Sequence, residues 1–222
     1  MRHTADTAGR KLSVLVPAYN EAESIHILYR EITNAVRSML EAGQIGAYEL
    51  WFVDDGSSDE TEAVILGLCE QDEAVRAIVF RKNFGKSAAL QAGFRHVTGD
   101  LVITLDADLQ DDPAEFPRFV EKIDEGYDLV VGWKHNRLDP MEKRLPSRLF
   151  NAVTARASGV RLHDFDCGFK CFRREVADSL DLYGELHRYI PVLAVRSGFR
   201  ITEIPVHHRK REYGRSKYGA ER

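Results

Sequence analysis

Cysteine is scarce in this sequence of 222 residues. Only Cys69, Cys167 and Cys171 are present, and no two of them form a C-x-x-C pair. An odd number of cysteines without paired spacing argues against a disulfide framework and against a four-thiolate zinc site. We therefore expect thiols that are buried or idle in a reducing compartment.

Long hydrophobic runs are also absent. No window reaches the roughly 18 uninterrupted apolar residues of a membrane-spanning helix. The amino-terminal stretch MRHTADTAGRK lacks the apolar core of a secretory signal. The sequence therefore predicts a soluble chain in the cytoplasm.

There is no excess of positive charge, since 31 Lys and Arg face 35 Asp and Glu for a formal charge of −4. This balance disfavours a globally basic nucleic-acid binder. With 44% apolar residues, 30% charged residues, 16 Gly and 7 Pro, the chain is neither collagen-like nor of low complexity nor disordered. Its length supports one large domain or two small ones, and no repeat or linker divides it.

The sequence does contain apolar strands that alternate with amphipathic helices. The run LSVLVP begins at Leu12 and is predicted to stop at Pro17, and Asn20 is predicted to cap the next helix. Strands YELWFVDD, AVRAIVF, LVITLDAD and DLVVG follow, separated by helices over about 61–71 and 86–97 and by one that begins at a proline. In the first helix, helical spacing is kept by Ile25, Leu28, Ile32, Val36 and Leu40.

The pattern weakens after Gly132. We predict a long loop, a helix near 147–158, the segment VRLHDFDCGFKCFRR, a helix near 186–196 and a last strand FRITEIPVHH. Right-handed βαβ units place such strands in a mostly parallel sheet flanked by helices, so the predicted class is α/β. Residues 11–206 are predicted to form one domain, preceded by a flexible tail over 1–10 and followed by a basic segment over 207–222.

Unusual residues gather where the predicted strands end, over 17–21, 54–57, 83–86 and 106–112. Ligands of such sheets bind at the carboxyl ends of the strands. The clearest group is Asp106-Ala107-Asp108-Leu109-Gln110, in which alternate strand residues would direct two carboxylates and one amide oxygen to one side. Three oxygen ligands that leave further coordination positions open suit Mg²⁺ or Mn²⁺ bound together with substrate phosphates. Helix capping is the alternative, and it fits Asp111 and Asp112 better.

A second acidic pair, Asp54-Asp55, precedes a turn GSSDET. One carboxylate at a strand end is able to bind a base or a ribose, while Ser58 or Asp59 caps the following helix. Two basic clusters lie later in the chain, one within 134–148 and one after Pro205. They indicate anionic partners on both sides of the reaction, or else solvated faces. For His207-His208, phosphate contact or exposure is favoured over metal ligation.

Four motifs stand in the order VPAYNEAE, VDDGSSDET, NFGKSAAL and LDADLQDDP. Together they resemble the family 2 glycosyltransferases of the GT-A fold, and the resemblance covers about residues 12–218. DLQDDP, DFDCGFK and HRKREYGRSKYG are most similar to the polyprenyl-phosphate subgroup, which includes dolichol-phosphate mannose synthases and undecaprenyl-phosphate glucosyltransferases.

The resemblance implies a set of residues that bind a nucleotide-sugar donor and a metal. The metal, Mg²⁺ or Mn²⁺, would be held by Asp106, Asp108 and Gln110. The donor would be bound by Pro17, Ala18, Tyr19, Glu21, Asp54, Asp55, Lys86, Asp106 and Arg211.

The resemblance also implies an acceptor side. Asp164 is the catalytic candidate, with Asp166 competing, and either would orient the acceptor phosphate or act as a base. A phosphate monoester is already anionic near neutral pH, so placement and charge neutralisation should carry most of the rate. The acceptor phosphate would be bound by Lys134, Arg137, Lys143, Arg144 and Ser147.

The predicted function is inverting transfer of a sugar from a nucleotide-diphospho-sugar to a polyprenyl phosphate, with a UDP-sugar favoured and GDP-mannose as the alternative. A hydroxyl acceptor on a glycan or protein is the rival within enzymes, and a non-catalytic nucleotide-sugar-binding module is the rival outside them. In the subgroup the domain commonly continues into membrane helices. We expect peripheral attachment to an anionic membrane surface at its cytoplasmic face, through the segment 207–222, and no nucleic-acid partner.

Overall fold

The computed structural model of the protein describes residues 9–134, 154–156 and 159–210. Within them no helix combines the length and the apolar composition needed to cross a membrane. The strands are β1 (Lys11–Ala18), β2 (Ala47–Asp54), β3 (Val75–Val79), β4 (Leu101–Thr104), β5 (Leu129–Lys134), β6 (Lys170–Arg173) and β7 (Ile201–Val206). The α-helices are α1 (Ala22–Glu41), α2 (Thr61–Gln71), α3 (Lys86–Phe94), α4 (Phe116–Asp124), α5 (Arg174–Ser179) and α6 (Ile190–Arg196).

The strands form one sheet in the order β3-β2-β1-β4-β6-β5-β7. All neighbouring pairs are parallel except those of β6, which runs antiparallel to both β4 and β5. The prediction of a mostly parallel sheet flanked by helices is therefore confirmed. Strand β1 lies near the centre and is buried from Leu12 to Ala18, as expected for a strand covered by helices on both faces.

Helix α1 covers the sheet with the apolar face that its spacing predicts. Ile25, Leu28, Ile32 and Val36 are fully buried, but the last core position is Met39 rather than the predicted Leu40. The turn after β1 also differs from the prediction.

Pro17 does not end β1: the pairing with β2 continues through Pro17 to Ala18, whereas the pairing with β4 ends at Leu15. Asn20 does not cap α1: it has a left-handed backbone (φ 53°), and its Oδ1 accepts a hydrogen bond from the Ser58 amide at 2.7 Å. Asn20 thus ties the first loop to the second, and α1 begins two residues later, at Ala22.

The second half of the chain departs further from prediction. Helix α5 was not predicted, and the helix expected near 186–196 is a 3-10 turn (Leu186–Tyr189) followed by α6. The helix expected near 147–158 lies mostly outside the described residues, of which 154–156 are helical. Arg10, which was assigned to the flexible tail, is 6% exposed and forms two hydrogen bonds with Asp124 of α4.

Glu49 forms a polar cluster at the amino-terminal end of the sheet, away from the strand ends where ligands are predicted to bind. Its carboxylate accepts hydrogen bonds from Lys11 Nζ at 2.8 Å, from Ser13 Oγ at 2.6 Å and from the Thr98 amide at 2.6 Å. Burial alone would raise the pKa of Glu49, but these donors outweigh it and lower the pKa to about 2. The ionised form therefore stabilises the fold.

Glu49→Gln is expected to destabilise the protein by about 3 kcal/mol at pH 7, because a pKa of about 2 in the folded state faces 4.5 for an unperturbed glutamate. A lowered pKa contributes stability above the unfolded value that is lost as pH falls. The difference between wild type and variant should therefore shrink between about pH 4.5 and pH 2. Urea unfolding at pH 7 and pH 3 measures it, and a difference that does not change with pH would contradict the assignment.

Candidate active site

The predicted ligand-binding residues lie at the carboxyl edge of the sheet, around the ends of β1, β2 and β4. The order of the strands reverses here, because β2 lies on one side of β1 and β4 on the other. Open α/β sheets bind ligands beyond the carboxyl ends of their strands at such a position. In register, Ala18 pairs with Asp54, and Leu15 pairs with the last residue of β4, Thr104.

Asp54 is the last residue of β2, and its two carboxylate oxygens differ in their hydrogen bonding. Its Oδ1 accepts hydrogen bonds from the backbone amide and the hydroxyl of Ser57, the former at 3.1 Å. Its Oδ2 is buried and has no hydrogen-bond partner within the part of the chain that the structure describes. An unsatisfied buried carboxylate oxygen costs free energy, and a hydrogen-bond donor of a bound nucleoside would remove that cost.

Asp55, the other member of the pair, has a different environment. It is fully buried, and its two oxygens accept hydrogen bonds from the amides of Phe84 at 2.7 Å and Gly85 at 2.9 Å. Asp55 thus holds the loop that delivers Lys86 to the start of α3. Neither Ser58 nor Asp59 occupies the cap position of α2, which is Glu60, but Asp59 Oδ1 accepts a hydrogen bond from the amide of the first helical residue, Thr61, at 3.0 Å.

The loop over 17–21, predicted to cradle the nucleoside, is tied to the residues that follow β2. Pro17 and Ala18 are buried at the end of β1, whereas Tyr19 is partly exposed. The Glu21 amide donates to the Thr61 hydroxyl at 2.8 Å, and the Glu21 side chain is largely buried. These contacts place the two predicted nucleoside-binding loops side by side.

Asp106, Asp108 and Gln110 lie in a turn beyond β4, which ends at Thr104. The strand alternation from which they were predicted to share one side therefore does not apply to them. The turn instead depends on Leu109, a buried residue with a left-handed backbone (φ 62°), and on a hydrogen bond from the Gln110 amide to Asp108 Oδ1 at 3.2 Å. A bulky residue at positive φ is strained.

Three lysines surround Asp106. Lys86 forms an ion pair with it, and Lys134 and Lys170 act on it through space. Desolvation would raise the pKa of Asp106, but the lysines hold it well below its usual range, so the carboxylate is charged. Burial, joined by the charge of Lys86, lowers the pKa of Lys170.

Gly168 leaves the space that the Asp106 carboxylate occupies. A Cβ at this position would stand 2.6 Å from Asp106 Oδ2 and 2.7 Å from Oδ1. Cβ atoms essentially never approach another atom this closely, so a larger residue here would displace the Asp106 carboxylate. Sequence reasoning missed this role, although the glycine stands within the motif DFDCGFK.

Asp111 and Lys134 form a buried ion pair beneath this turn. Lys134 Nζ lies 3.2 Å from Asp111 Oδ1, and Asp111 is 1% exposed. Burial opposes the charge on Lys134, yet Asp111 raises the lysine pKa well above its usual value. Lys134, predicted to bind the acceptor phosphate, is thus held by Asp111. Of Asp111 and Asp112, only Asp112 acts as a cap: it accepts from the Ala114 amide at 3.0 Å at the start of a 3-10 turn (Pro113–Glu115) that leads into α4.

The two catalytic candidates differ in exposure. Asp164 is buried with 1% exposure, whereas the Asp166 side chain is 36% exposed and lies 3.7 Å from Arg188. Both carboxylates raise the pKa of the buried Lys170, although burial still lowers it overall. Both candidates therefore lie close enough to Lys170 to interact with it electrostatically.

The 3-10 turn beside α3 supplies residues that sequence reasoning did not select. Ser87 Oγ lies 2.9 Å from His187 Nδ1 and accepts from the His187 amide at 3.0 Å. Burial, together with the charges of Lys86 and Lys170, lowers the pKa of His187 to about 3, so the ring is neutral. This contact fixes the turn that carries Arg188, and no local pattern in the sequence indicated it.

The last strand leads to a segment that packs on the turn carrying the candidate metal ligands Asp106, Asp108 and Gln110. His208, expected to be exposed or to bind phosphate, is 5% exposed, while His207 is exposed. Five predicted site residues lie outside the described residues: Arg137, Lys143, Arg144, Ser147 and Arg211.

The donor set around Asp106 fits a hard divalent cation. Two aspartates and the amide oxygen of Gln110 are the ligands that Mg²⁺ and Mn²⁺ prefer. Asp106 is ionised, and Gln110 Nε2 donates to the Arg209 carbonyl at 3.2 Å, which leaves its Oε1 for a cation. We therefore retain these three residues as the candidates that would hold the metal.

Comparison with known proteins decides the family. The family described as "Glycosyl transferase family 2" matches residues 13–181, which is most of the chain. This chain belongs to glycosyl transferase family 2. The resemblance drawn from the four motifs is thereby confirmed, and the match spans the predicted nucleoside-binding loops, the candidate metal-binding turn and the DFDCGFK segment.

Curated relatives place the chain near the polyprenyl-phosphate members of glycosyl transferase family 2. It is 42% identical over 210 residues to the undecaprenyl-phosphate 4-deoxy-4-formamido-L-arabinose transferases of Salmonella choleraesuis and Salmonella typhimurium. The alignments cover 94% of this chain and 63% of each relative. The chain thus spans about three-fifths of the length of these relatives.

Solved structures of similar fold include glucosyl-3-phosphoglycerate synthase from Mycobacterium tuberculosis. Its complex with Mn²⁺ and UDP-glucose has a TM-score of 0.66 at 24% identity, covering 93% of this chain and 74% of that one. Its complex with Mn²⁺, UDP and glucosyl-3-phosphoglycerate has a TM-score of 0.69 at 22% identity, with 93% and 75% covered. The expected GT-A fold is confirmed.

Proposed function

We propose that this protein transfers a sugar from a nucleotide-diphospho-sugar, with a UDP-sugar favoured, to a polyprenyl phosphate. The observation that carries the proposal is the grouping of acidic residues at one edge of the sheet, where Asp54 ends β2 and Asp106 and Asp108 follow β4. Three lysines act on Asp106 there. Supporting it, the Salmonella relatives are named as undecaprenyl-phosphate sugar transferases, and the mycobacterial neighbour was solved with Mn²⁺ and UDP-glucose.

The donor would lie across the three loops at the end of β1, β2 and β4. The unpartnered Asp54 Oδ2 would accept a hydrogen bond from the base or ribose, and the diphosphate would lie at Asp106, Asp108 and Gln110. A divalent ion held there acts as a Lewis acid that stabilises the departing nucleoside diphosphate. Lys86, already placed against Asp106, adds positive charge where the leaving group becomes negative.

The acceptor phosphate would attack the anomeric carbon in a single displacement, which inverts its configuration. The phosphate oxygen is itself the nucleophile and is already ionised near neutral pH, since its second pKa is about 6. The protein therefore has to orient it and offset its charge rather than remove a proton. Asp164 would orient the acceptor from its buried position beside Lys170.

Asp164→Asn is expected to lower kcat about 100-fold while the donor KM changes less than threefold, because its role is at the reacting centre. Asp166→Asn is the matched variant and should lower kcat less than tenfold, since its partly exposed carboxylate lies near Arg188. Steady-state kinetics with thermal unfolding of both variants measures this. The opposite ranking would transfer the role to Asp166.

Peripheral attachment to an anionic membrane surface through 207–222 is part of the same proposal. Arg209 takes no part in it, because its guanidinium is paired with Glu31. Attachment would instead depend on the exposed Lys210 and on later basic residues, each contributing on the order of 1 kcal/mol near an anionic leaflet.

A panel of nucleotide-sugars tests the proposal. The protein is incubated with each donor, Mn²⁺ or Mg²⁺, and undecaprenyl phosphate, and release of the nucleoside diphosphate is measured. Release that depends on the lipid phosphate supports the proposal. Release with a glycan or protein hydroxyl acceptor alone would favour the rival enzyme, and donor binding without any release would favour a non-catalytic module.

A further inference from the structure

The residues just after β7 pack against the turn that carries the candidate metal ligands. The Arg209 amide donates to the Gln110 carbonyl at 2.9 Å, and His208 forms an antiparallel bridge with Asp111. The Gln110 side chain is also engaged, because its Nε2 donates to the Arg209 carbonyl at 3.2 Å and lies 3.3 Å from His208 Nε2. Both the backbone and the side chain of Gln110 are thus held by one short segment.

The Arg209 side chain anchors this segment to a rigid part of the fold. Its two terminal nitrogens donate to both oxygens of Glu31, at 2.9 Å and 2.7 Å, and Nη2 also donates to the Asp111 carbonyl at 2.9 Å. Glu31 lies on α1 beside Ile32, which is fully buried in the core. Two hydrogen bonds between an arginine and a carboxylate fix the orientation of the guanidinium as well as its distance from the carboxylate. Because Glu31 belongs to α1, this helix holds the Arg209 side chain, and with it the Arg209 backbone, in place.

This arrangement controls which atom Gln110 offers to a cation. The amide group of glutamine presents either oxygen or nitrogen after a half-turn of its side chain, and only the oxygen binds a metal. The Arg209 carbonyl accepts from the nitrogen and so selects the orientation in which Oε1 is available. The same segment braces the turn at Leu109, whose left-handed backbone is strained.

We propose that Arg209 and Glu31 are positioning residues that hold the metal-binding turn in its binding geometry. Neither residue was selected from the sequence as a partner of the other, since 178 positions separate them. The inference rests on the proposed function, because it takes Asp106, Asp108 and Gln110 as the metal ligands. Residues that orient metal ligands typically change metal affinity 10- to 100-fold when they are replaced.

Mn²⁺ binding, measured by the electron paramagnetic resonance of the free ion with and without UDP, tests the inference. Arg209→Gln and Glu31→Gln should each raise the Kd for Mn²⁺ about tenfold. Each single variant breaks the same ion pair, so the two effects should not add. The Kd of the double variant for Mn²⁺ should therefore not exceed the higher Kd of the two single variants. Arg209→Lys, which keeps the charge but loses the fork, should fall between wild type and Arg209→Gln.

Arg10→Gln is the matched control, since Arg10 also makes a two-bond pair, with Asp124 of α4, but precedes β1 at the opposite edge of the sheet. It should lower the melting temperature without changing the Kd for Mn²⁺. If wild type binds Mn²⁺, two results would overturn the inference and leave the proposed metal site standing. One is an unchanged Kd in Arg209→Gln and Glu31→Gln, and the other is an equal rise of the Kd in Arg10→Gln. Wild type that binds no Mn²⁺ would overturn the proposed metal site and the inference with it.

Discussion

Asp108→Ala is expected to lower kcat/KM for the nucleotide-sugar about 1000-fold and to remove its dependence on Mn²⁺. Asp108 lies on the turn beyond β4 with one oxygen accepting the Gln110 amide at 3.2 Å. Its loss removes a negative ligand from the cation site, and with it the charge compensation of the departing diphosphate. Electrostatic stabilisation by a bound metal contributes several kcal/mol, and about 4 kcal/mol corresponds to about 1000-fold.

Two further variants separate lost charge from a collapsed turn. Asp108→Asn keeps an oxygen that accepts the Gln110 amide but removes the charge, so it should lose nearly as much activity while its melting temperature stays close to wild type. Asp178→Ala removes an exposed carboxylate that pairs with Arg174 on α5 and should leave turnover unchanged. Rates of Asp108→Ala near those of wild type across a Mg²⁺ and Mn²⁺ titration would reject Asp108 as a ligand.

Gly168→Ala is expected to lower kcat/KM about 100-fold, although it adds a single methyl group. The added Cβ would lie 2.6 Å from Asp106 Oδ2 and 2.8 Å from its Cγ, so the carboxylate has to move. Displacing a reacting or ligating group by about 1 Å costs on the order of 100-fold in rate. The effect should therefore appear in Mn²⁺ affinity and in turnover, measured together on the same preparation.

Gly67→Ala is the matched control for this variant. Gly67 lies within α2 and has nothing within 4 Å of a built Cβ, so alanine should stabilise the helix by about 1 kcal/mol and leave turnover unchanged. If Gly168→Ala kept wild-type turnover and Mn²⁺ affinity, the observed position of Asp106 would not be required for the reaction.

Much of the fold was predictable because the signals are local. The apolar run from Leu12 and the spacing of Ile25, Leu28, Ile32 and Val36 in α1 each depend on neighbours a few positions away. The alternation of such segments then predicts a parallel sheet through the handedness of βαβ connections. Strand β6 falls outside this rule because it pairs antiparallel to β4 and β5, and those contacts join distant parts of the chain.

The candidate site was likewise predictable in part from local sequence patterns and in part only from the folded structure. The motifs predicted that Asp54, Asp106, Asp108 and Lys86 lie together, because polar residues directly after apolar strands gather at one edge of a sheet. From the residues alone, either of Asp54 and Asp55 was a candidate to bind the base or ribose. The hydrogen bonds that separate the two come from Ser57 in the adjacent turn and from amides 29 and 30 positions away.

The sequence by itself determined the fold class, the family and the edge of the sheet that carries the candidate site, since all three follow from short patterns in a fixed order. Only the tertiary structure decided that Lys134 pairs with Asp111, that Gly168 makes room for Asp106 and that Arg209 joins Glu31 to the candidate metal-binding turn. These contacts depend on distances between segments far apart in the chain, and such distances are set by the packing of the whole sheet and its helices.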